Sequence, residues 1–286
     1  MREADIEDLG ISVGGQNITN LRYADDTALL ATNITSMRRI LHRTDIAGRR
    51  AGLNLNAKKT KVMHINTMEN QSNIRVDGTN LENVDHFKYL GSIKSSDGTC
   101  TDDINVRIGM AKQRMVQLNN IWKDRSIPTS LKLKILRCLV WSVMLYGCEA
   151  WTTRKKEEKK IEAAEMWFYR RLLRVSWTER RTNESILEQL GVSKVLTSLI
   201  RKRKLTYLGH AMRNKNTHLM KTIFQGKIEC GRKRGRPAAS YIKSTTEAYG
   251  TGLQEMSWRC EDREGWRATV RAACRAANID NDEADR

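Results

Sequence analysis

An α+β fold is predicted, with a small antiparallel sheet and one long helix first, a mainly helical region next, and a basic tail last. Three observations predict it. Apolar residues come in short, β-branched, alternating runs up to about residue 97 and repeat every 3.6 residues beyond it. Proline occurs only twice in 286 residues, at Pro128 and Pro237, which leaves room for long unbroken helices. Charge divides near the same place: residues 1–100 carry 13 basic and 12 acidic side chains, 101–200 carry 19 and 11, and 201–286 carry 19 and 10. The seven tryptophans follow suit, since none precedes Trp122. The chain is thus divided into 1–97, 98–225 and 226–286.

The elements follow in order. Ile11-Ser12-Val13, a Gly14-Gly15 turn and the run 18–23 predict a hairpin. The apolar run 27–31 resumes after Asp25-Asp26, so these two acids sit at a turn between strands. A helix is predicted from Thr35 or Ser36, both capping types, through Met37, Ile40, Leu41 and Ala47 to about Gly52. Segments 61–65, 74–76 and 84–90 are strand-like. Past Asp97-Gly98, Ile104, Ile108, Ala111, Met115, Leu118 and Trp122 mark one helical face. Residues 131–146 predict a second helix with Gly147 as its stop. Ile161, Ala164, Phe168, Leu172 and Val175 mark a third, and 196–212 a fourth.

Composition bounds the function classes. A formal charge of +18 points to a polyanionic partner. The longest mostly apolar run, 139–146, is far short of the ~20 residues that span a bilayer, so no membrane partner is expected. The opening Met1-Arg2-Glu3-Ala4-Asp5 lacks the apolar block of a secretory signal. Six cysteines without a CxxC pair predict free thiols in a reducing compartment, and His210, His218 and Cys230 match no usual zinc-ligand spacing.

Tyr23-Ala24-Asp25-Asp26 carries the chemistry. Adjacent carboxylates held at a tight turn repel one another, and bound divalent cations relieve that repulsion. Hard Mg²⁺ (or Mn²⁺) suits such oxygen ligands and keeps positions open for phosphates. Asp is also a common residue in solvated turns. Two further segments follow: Gly52-Leu53-Asn54-Leu55-Asn56-Ala57-Lys58-Lys59-Thr60 and Phe87-Lys88-Tyr89-Leu90-Gly91. In this order and spacing the three motifs resemble the reverse transcriptase of LINE-like non-LTR retrotransposons. Leu145-Tyr146-Gly147-Cys148-Glu149-Ala150-Trp151 and Leu208-Gly209-His210-Ala211-Met212-Arg213 also look like these elements.

The resemblance implies a polymerase palm followed by a thumb. It implies that Asp25 ligates catalytic metals with Asp26 in support, and that Tyr23 and Ala24 lie near the primer end and incoming nucleotide. Lys59 matches a lysine that can protonate leaving pyrophosphate, and is equally readable as a solvated surface lysine. Phe87, Tyr89, Leu90 and Gly91 match the primer grip; an ordinary buried strand is compatible with the same residues. The expected partners are an RNA template with its DNA primer, and a DNA target. A further metal-binding Asp belongs upstream of the acid pair in this family. The chain is therefore expected to be the C-terminal part of a reverse transcriptase, inactive alone and complemented by an upstream half supplied separately. The alternative is a nuclear nucleic-acid-binding protein with a vestigial active site.

The basic residues come last. Lys112, Arg114, Lys123, Arg125, Lys132, Lys134 and Arg137 lie off the apolar stripe, where they can meet duplex phosphates or face water. Trp122, Trp141, Trp151, Trp167 and Trp177 read as core. Arg201-Lys202-Arg203-Lys204 and Arg232-Lys233-Arg234-Gly235-Arg236-Pro237 are dense enough for a nuclear localisation signal or nucleic-acid patch. Arg234-Gly235-Arg236-Pro237 looks like an AT-hook core, which inserts in a narrow minor groove; a basic linker is the plainer reading. Residues 262–277 predict an amphipathic helix with Trp266, Val270 and Cys274 on one stripe and Arg263, Arg267, Arg271 and Arg275 on another. Docking on the body and phosphate contact both fit it.

Overall fold

The computed structural model describes residues 6, 8–65, 73–214, 218–225, 241–247 and 252–275. The chain divides into two compact units. One takes the described residues up to Lys88, Ser95–Gly98 and the described part of 214–236. The other takes Tyr89–Lys94, Thr99–Arg213 and the described residues after Pro237.

The first unit is built from short hairpins around one helix. Strands β1 (Ile11–Val13) and β2 (Gln16–Ile18) pair antiparallel through the predicted Gly14-Gly15 turn. The predicted second strand is divided at Thr19, and β3 (Asn20–Tyr23) instead pairs with β4 (Asp26–Leu29). Helix α1 (Ile34–Arg50) starts one residue before the predicted Thr35, because Asn33 is the cap: its Oδ1 accepts from Ser36 N at 2.8 Å. Next come β5 (Lys61–Val62), β6 (Arg75–Val76), β7 (Thr79–Asn80), β8 (Glu82–Asn83), β9 (His86–Tyr89) and β10 (Ser92–Ser95). The expected single antiparallel sheet is realised as separate two-stranded pairs, and β5 with β8 is parallel. Turn residues break the apolar alternation every few positions, so strands of two to four residues cannot extend into a wide sheet. Helix α1 buries Ile40 and Ala47 with Ile6 and Leu9, and Leu41 with Ile74, Val76 and Leu81. Arg49 ties its end to the β6–β7 turn by bonding both Asp45 and Asp77, and these two carboxylates raise the Arg49 pKa.

The second unit is helical. Helices α2 (Thr101–Gln117) and α3 (Asn119–Lys123) carry the predicted face, with Ile104, Ala111, Met115 and Trp122 buried. The predicted helix over 131–146 begins at α4 (Thr129–Ile135), runs through a π-helical stretch Leu136–Trp141 and ends in α5 (Ser142–Met144). Gly147 stands beyond it in the left-handed region, φ 70°. Helices α6 (Lys155–Leu173), α7 (Asn183–Leu190) and α8 (Leu196–Arg213) complete the core with Ile161, Phe168, Leu172, Ile186 and Leu196. The first unit also holds α9 (His218–Gln225), while α10 (Tyr241–Glu247), α11 (Leu253–Arg259) and α12 (Arg263–Arg275) belong to the second. Trp122, Trp141 and Trp151 are buried as expected, and Trp167 packs partly buried against the core.

One basic expectation is corrected. Lys132 lies off the apolar stripe in sequence, yet it is buried, and its ammonium donates to the carbonyls of Trp122 (3.0 Å) and Asp124 (2.6 Å). It stitches α4 to the end of α3, where carbonyls left free at a helix terminus need donors.

Candidate functional site

The local chemistry of the acid pair starts from its turn. Among the described residues there are four two-residue hairpin loops, and three carry two left-handed residues each: Gly14-Gly15 (φ 55° and 78°), Asp77-Gly78 (49° and 75°) and Leu90-Gly91 (48° and 82°). That is the type I′ pattern, whose twist suits paired strands. The fourth differs. In Ala24-Asp25 only Ala24 is left-handed, at φ 52°. The strained residue therefore precedes the acids, and Tyr23 pairs with Asp26 across the loop. Tyr23, Ala24, Asp25 and Asp26 are all exposed, Tyr23 by 66%. The hairpin offers both carboxylates to solvent on one short, registered scaffold.

Two adjacent exposed carboxylates suit a hard divalent cation that keeps phosphate or water ligands. Among the described residues, no group of three or more His, Cys, Asp and Glu converges on one point. The acid pair by itself offers two carboxylates, fewer than such a group needs.

Lys59 is exposed in a turn whose backbone is held by Asn56. Asn56 Oδ1 accepts from Lys59 N at 3.2 Å, and Thr60 Oγ1 donates to Asn56 O at 2.9 Å. The Asn-x-x-Lys-Thr spacing is explained by this local closure. No hydrogen bond or ion pair links Lys59 to Asp25 or Asp26 among the described residues.

The turn Tyr89-Leu90-Gly91-Ser92 is held by residues distant in sequence. Arg107 is buried and its Nη2 donates to Gly91 O at 2.5 Å, while Tyr146 OH donates to Leu90 O at 3.2 Å. The Arg107 guanidinium also lies 4.4 Å from the centre of the Tyr146 ring. Asp103 receives Ile93 N on one oxygen (2.9 Å) and Trp151 Nε1 on the other (2.8 Å). A Cβ at Gly91 would stand 3.3 Å from the Tyr146 ring, and one at Gly147 would stand 3.2 Å from Ser92 Oγ. The Leu145-to-Trp151 string, together with Arg107 and Asp103 of α2, thus seats the Leu90-Gly91 turn. Arg107, Tyr146, Asp103 and Trp151 carry no local signal for this role, because their partners lie 16, 56, 10 and 48 residues away. Phe87 and Tyr89 are half-buried and Leu90 is exposed.

The basic candidates are placed variously. Lys112 Nζ sits 5.4 Å from the Trp167 ring centre, and Arg114 is exposed beside Gln117. On α8, Arg201 pairs with Glu158 at 3.2 Å, and Arg203 donates to Leu145 O at 3.1 Å. Lys202 is half-buried. Lys204 is 3% exposed, donates to Ser244 Oγ at 3.1 Å and faces the Tyr241 ring at 4.6 Å. Burial lowers the Lys204 pKa to about 8. Arg232, Lys233, Arg234 and Arg236, with the AT-hook-like segment, lie outside the described residues.

Residues 5–93 match the reverse transcriptase (RNA-dependent DNA polymerase) family. That span contains the acid hairpin, the Asn56 turn and the Leu90-Gly91 turn. The chain is also 29% identical over 273 residues to a transposon-derived protein of Caenorhabditis elegans, covering 91% of this chain and 97% of that one. No solved structure matches the chain. Reverse transcriptase similarity brings template and primer binding in general terms. Among the described residues, no helix is long and apolar enough to cross a membrane.

Proposed function

We propose that the chain is part of the reverse transcriptase of a LINE-like non-LTR retrotransposon, contributing palm, thumb and tail to RNA-directed DNA synthesis. The observation that carries this reading is the reverse transcriptase match over the span that presents Asp25 and Asp26 on an exposed, registered hairpin. Asp25 and Asp26 would hold Mg²⁺, together with a further carboxylate from outside the pair. Bound there, the metal would stabilise charge on the attacking and leaving oxygens. The chain's own residues orient the reactants: the Leu90-Gly91 turn, seated by Arg107 and Tyr146, would hold the primer end for in-line attack. Lys59, exposed beside its Asn56 closure, would donate a proton to departing pyrophosphate. The partners would be an RNA template with its DNA primer, and a DNA target in the nucleus.

Primer extension tests this. The full chain mixed with an upstream fingers-and-palm half should extend an RNA-templated primer with Mg²⁺, and the chain alone should not. The joint change Asp25→Asn and Asp26→Asn should abolish extension; activity that survives it would overturn the site. A second reading, a nuclear nucleic-acid-binding protein with a vestigial site, is favoured by one observation. The acid pair has no third ligand among the described residues. Absence of extension in every mixture, with duplex binding intact, would select it.

A further inference from the structure

The amphipathic helix near the C-terminus can dock on the body or meet phosphates, and the structure shows which face docks. Trp266 (2% exposed) and Val270 are buried, and Trp266 Nε1 donates to Leu205 O at 3.1 Å on α8. The indole lies where a Cβ on Gly209 would come within 2.1 Å of it, so only glycine admits α12 at this distance. Arg213 Nη1 donates to Cys260 O at 2.7 Å and fixes the turn between α11 and α12. With its apolar edge committed, α12 turns Arg263, Arg267 and Arg271 outward, all exposed. Among the described residues none of the three makes a hydrogen bond or ion pair, unlike Arg201, Arg203 and Arg259.

The three guanidinium groups recur every four residues, about 6 Å apart along the helix axis. This is a ladder of unneutralised cations at a pitch comparable to successive phosphates on one strand. Five residues before Arg263 stands Trp258, 76% exposed. An indole this bare gains nothing from the core, whereas an exposed aromatic face a few residues from a cationic track is what an unpaired base can stack on. The acids nearby, Glu261, Asp262 and Glu264, cluster at the start of α12, and Asp262 Oδ1 is already engaged by Glu264 N at 3.0 Å. Arg267 and Arg271 lie one and two turns beyond them.

We propose that α12 and Trp258 form a binding site for single-stranded nucleic acid, with the arginine ladder on phosphates and Trp258 stacking on a base. The site does not depend on the polymerase reading, so a failed primer extension leaves it standing.

The test uses the full chain and a labelled oligothymidylate of about 15 nucleotides, within the span such sites occupy, against a duplex of equal length. Anisotropy is read across a salt series. Replacing Arg263, Arg267 and Arg271 with glutamine should flatten the single-strand salt slope by about 2, at about 0.7 per phosphate. Trp258→Ala should weaken single-strand binding about ten-fold while leaving duplex binding within about two-fold, and Trp258→Phe should restore it. All these side chains are exposed, and melting curves should match the wild type. An unchanged slope in the triple variant, or a Trp258→Ala loss equal on both ligands or absent on both, would overturn the proposal.

Discussion

A leucine at φ 48° in a two-residue hairpin loop carries a steric cost of about 1–2 kcal/mol, which the bonds from Tyr146 to Leu90 O and from Arg107 to Gly91 O hold in place. Leu90→Gly should therefore raise stability by about 1 kcal/mol in denaturant unfolding. Gly91→Ala should lower it by about 2 kcal/mol or more, because strain at φ 82° adds to crowding against Tyr146. Equal stabilities for the two variants would show that the turn is not held as described. Lys204 gives a pH-dependent counterpart. Burial lowers its pKa from 10.5 to about 8, so unfolding takes up a proton between those values. The unfolded state binds more protons there, and stability must rise with pH across that window. Wild-type unfolding free energies should gain on those of Lys204→Met between about pH 8 and pH 10. A constant difference between the two proteins would mean that Lys204 titrates as a free lysine.

Between elements, the clearest dependence is that of α8 on a side chain from α6. Glu165, fully buried, accepts from Val195 N (2.8 Å) and Leu196 N (3.2 Å), and from Tyr169 OH (3.0 Å). It thus caps a helix it does not belong to, satisfying donors that a helix start leaves free. Burial raises its pKa despite those three donors. Glu165→Ala should cost about 3 kcal/mol by stranding two backbone donors, read as a lowered denaturant midpoint. A variant within about 0.5 kcal/mol of wild type, the range of ordinary surface changes, would contradict the capping role. Such cross-element ties mark what the sequence left unreadable. The helical faces of α2, α6 and α8 and the acid hairpin were legible, because period and turn chemistry are local. The Asn33 cap lies two or three residues before the predicted one because Thr35 and Ser36 are capping types too. Lys132, Lys204 and Arg107 look like surface cations by position, and only the packing of distant elements shows them inside. The Leu145-to-Trp151 string is visible as a resemblance, but its role in seating Leu90-Gly91 rests on a bond between residues 56 positions apart.

For the molecule as a whole, the +18 charge overstates what a polyanion can reach. Several cations in the basic part are committed internally: Lys132 to carbonyls, Lys204 to Ser244 and the Tyr241 ring, Arg201 to Glu158. Lys123 and Arg125, by contrast, are exposed around the α3–α4 corner. Deleting the chain from Leu199 onward cannot separate these groups, because it strips Ile200, Leu205 and Leu208 from the buried interior. Single substitutions can. Lys132→Gln should cost about 1–2 kcal/mol of stability and leave the salt dependence of duplex binding unchanged. The joint change Lys123→Gln and Arg125→Gln should do the reverse, lowering the slope of log affinity against log salt by up to about 2, at about 0.9 per phosphate contact, with the melting temperature held. Paired unfolding curves and salt titrations on one duplex decide it. If Lys132→Gln flattened the slope while the exposed double variant did not, the division between structural and available charge would be wrong, and with it the assignment of the helical unit to duplex phosphates.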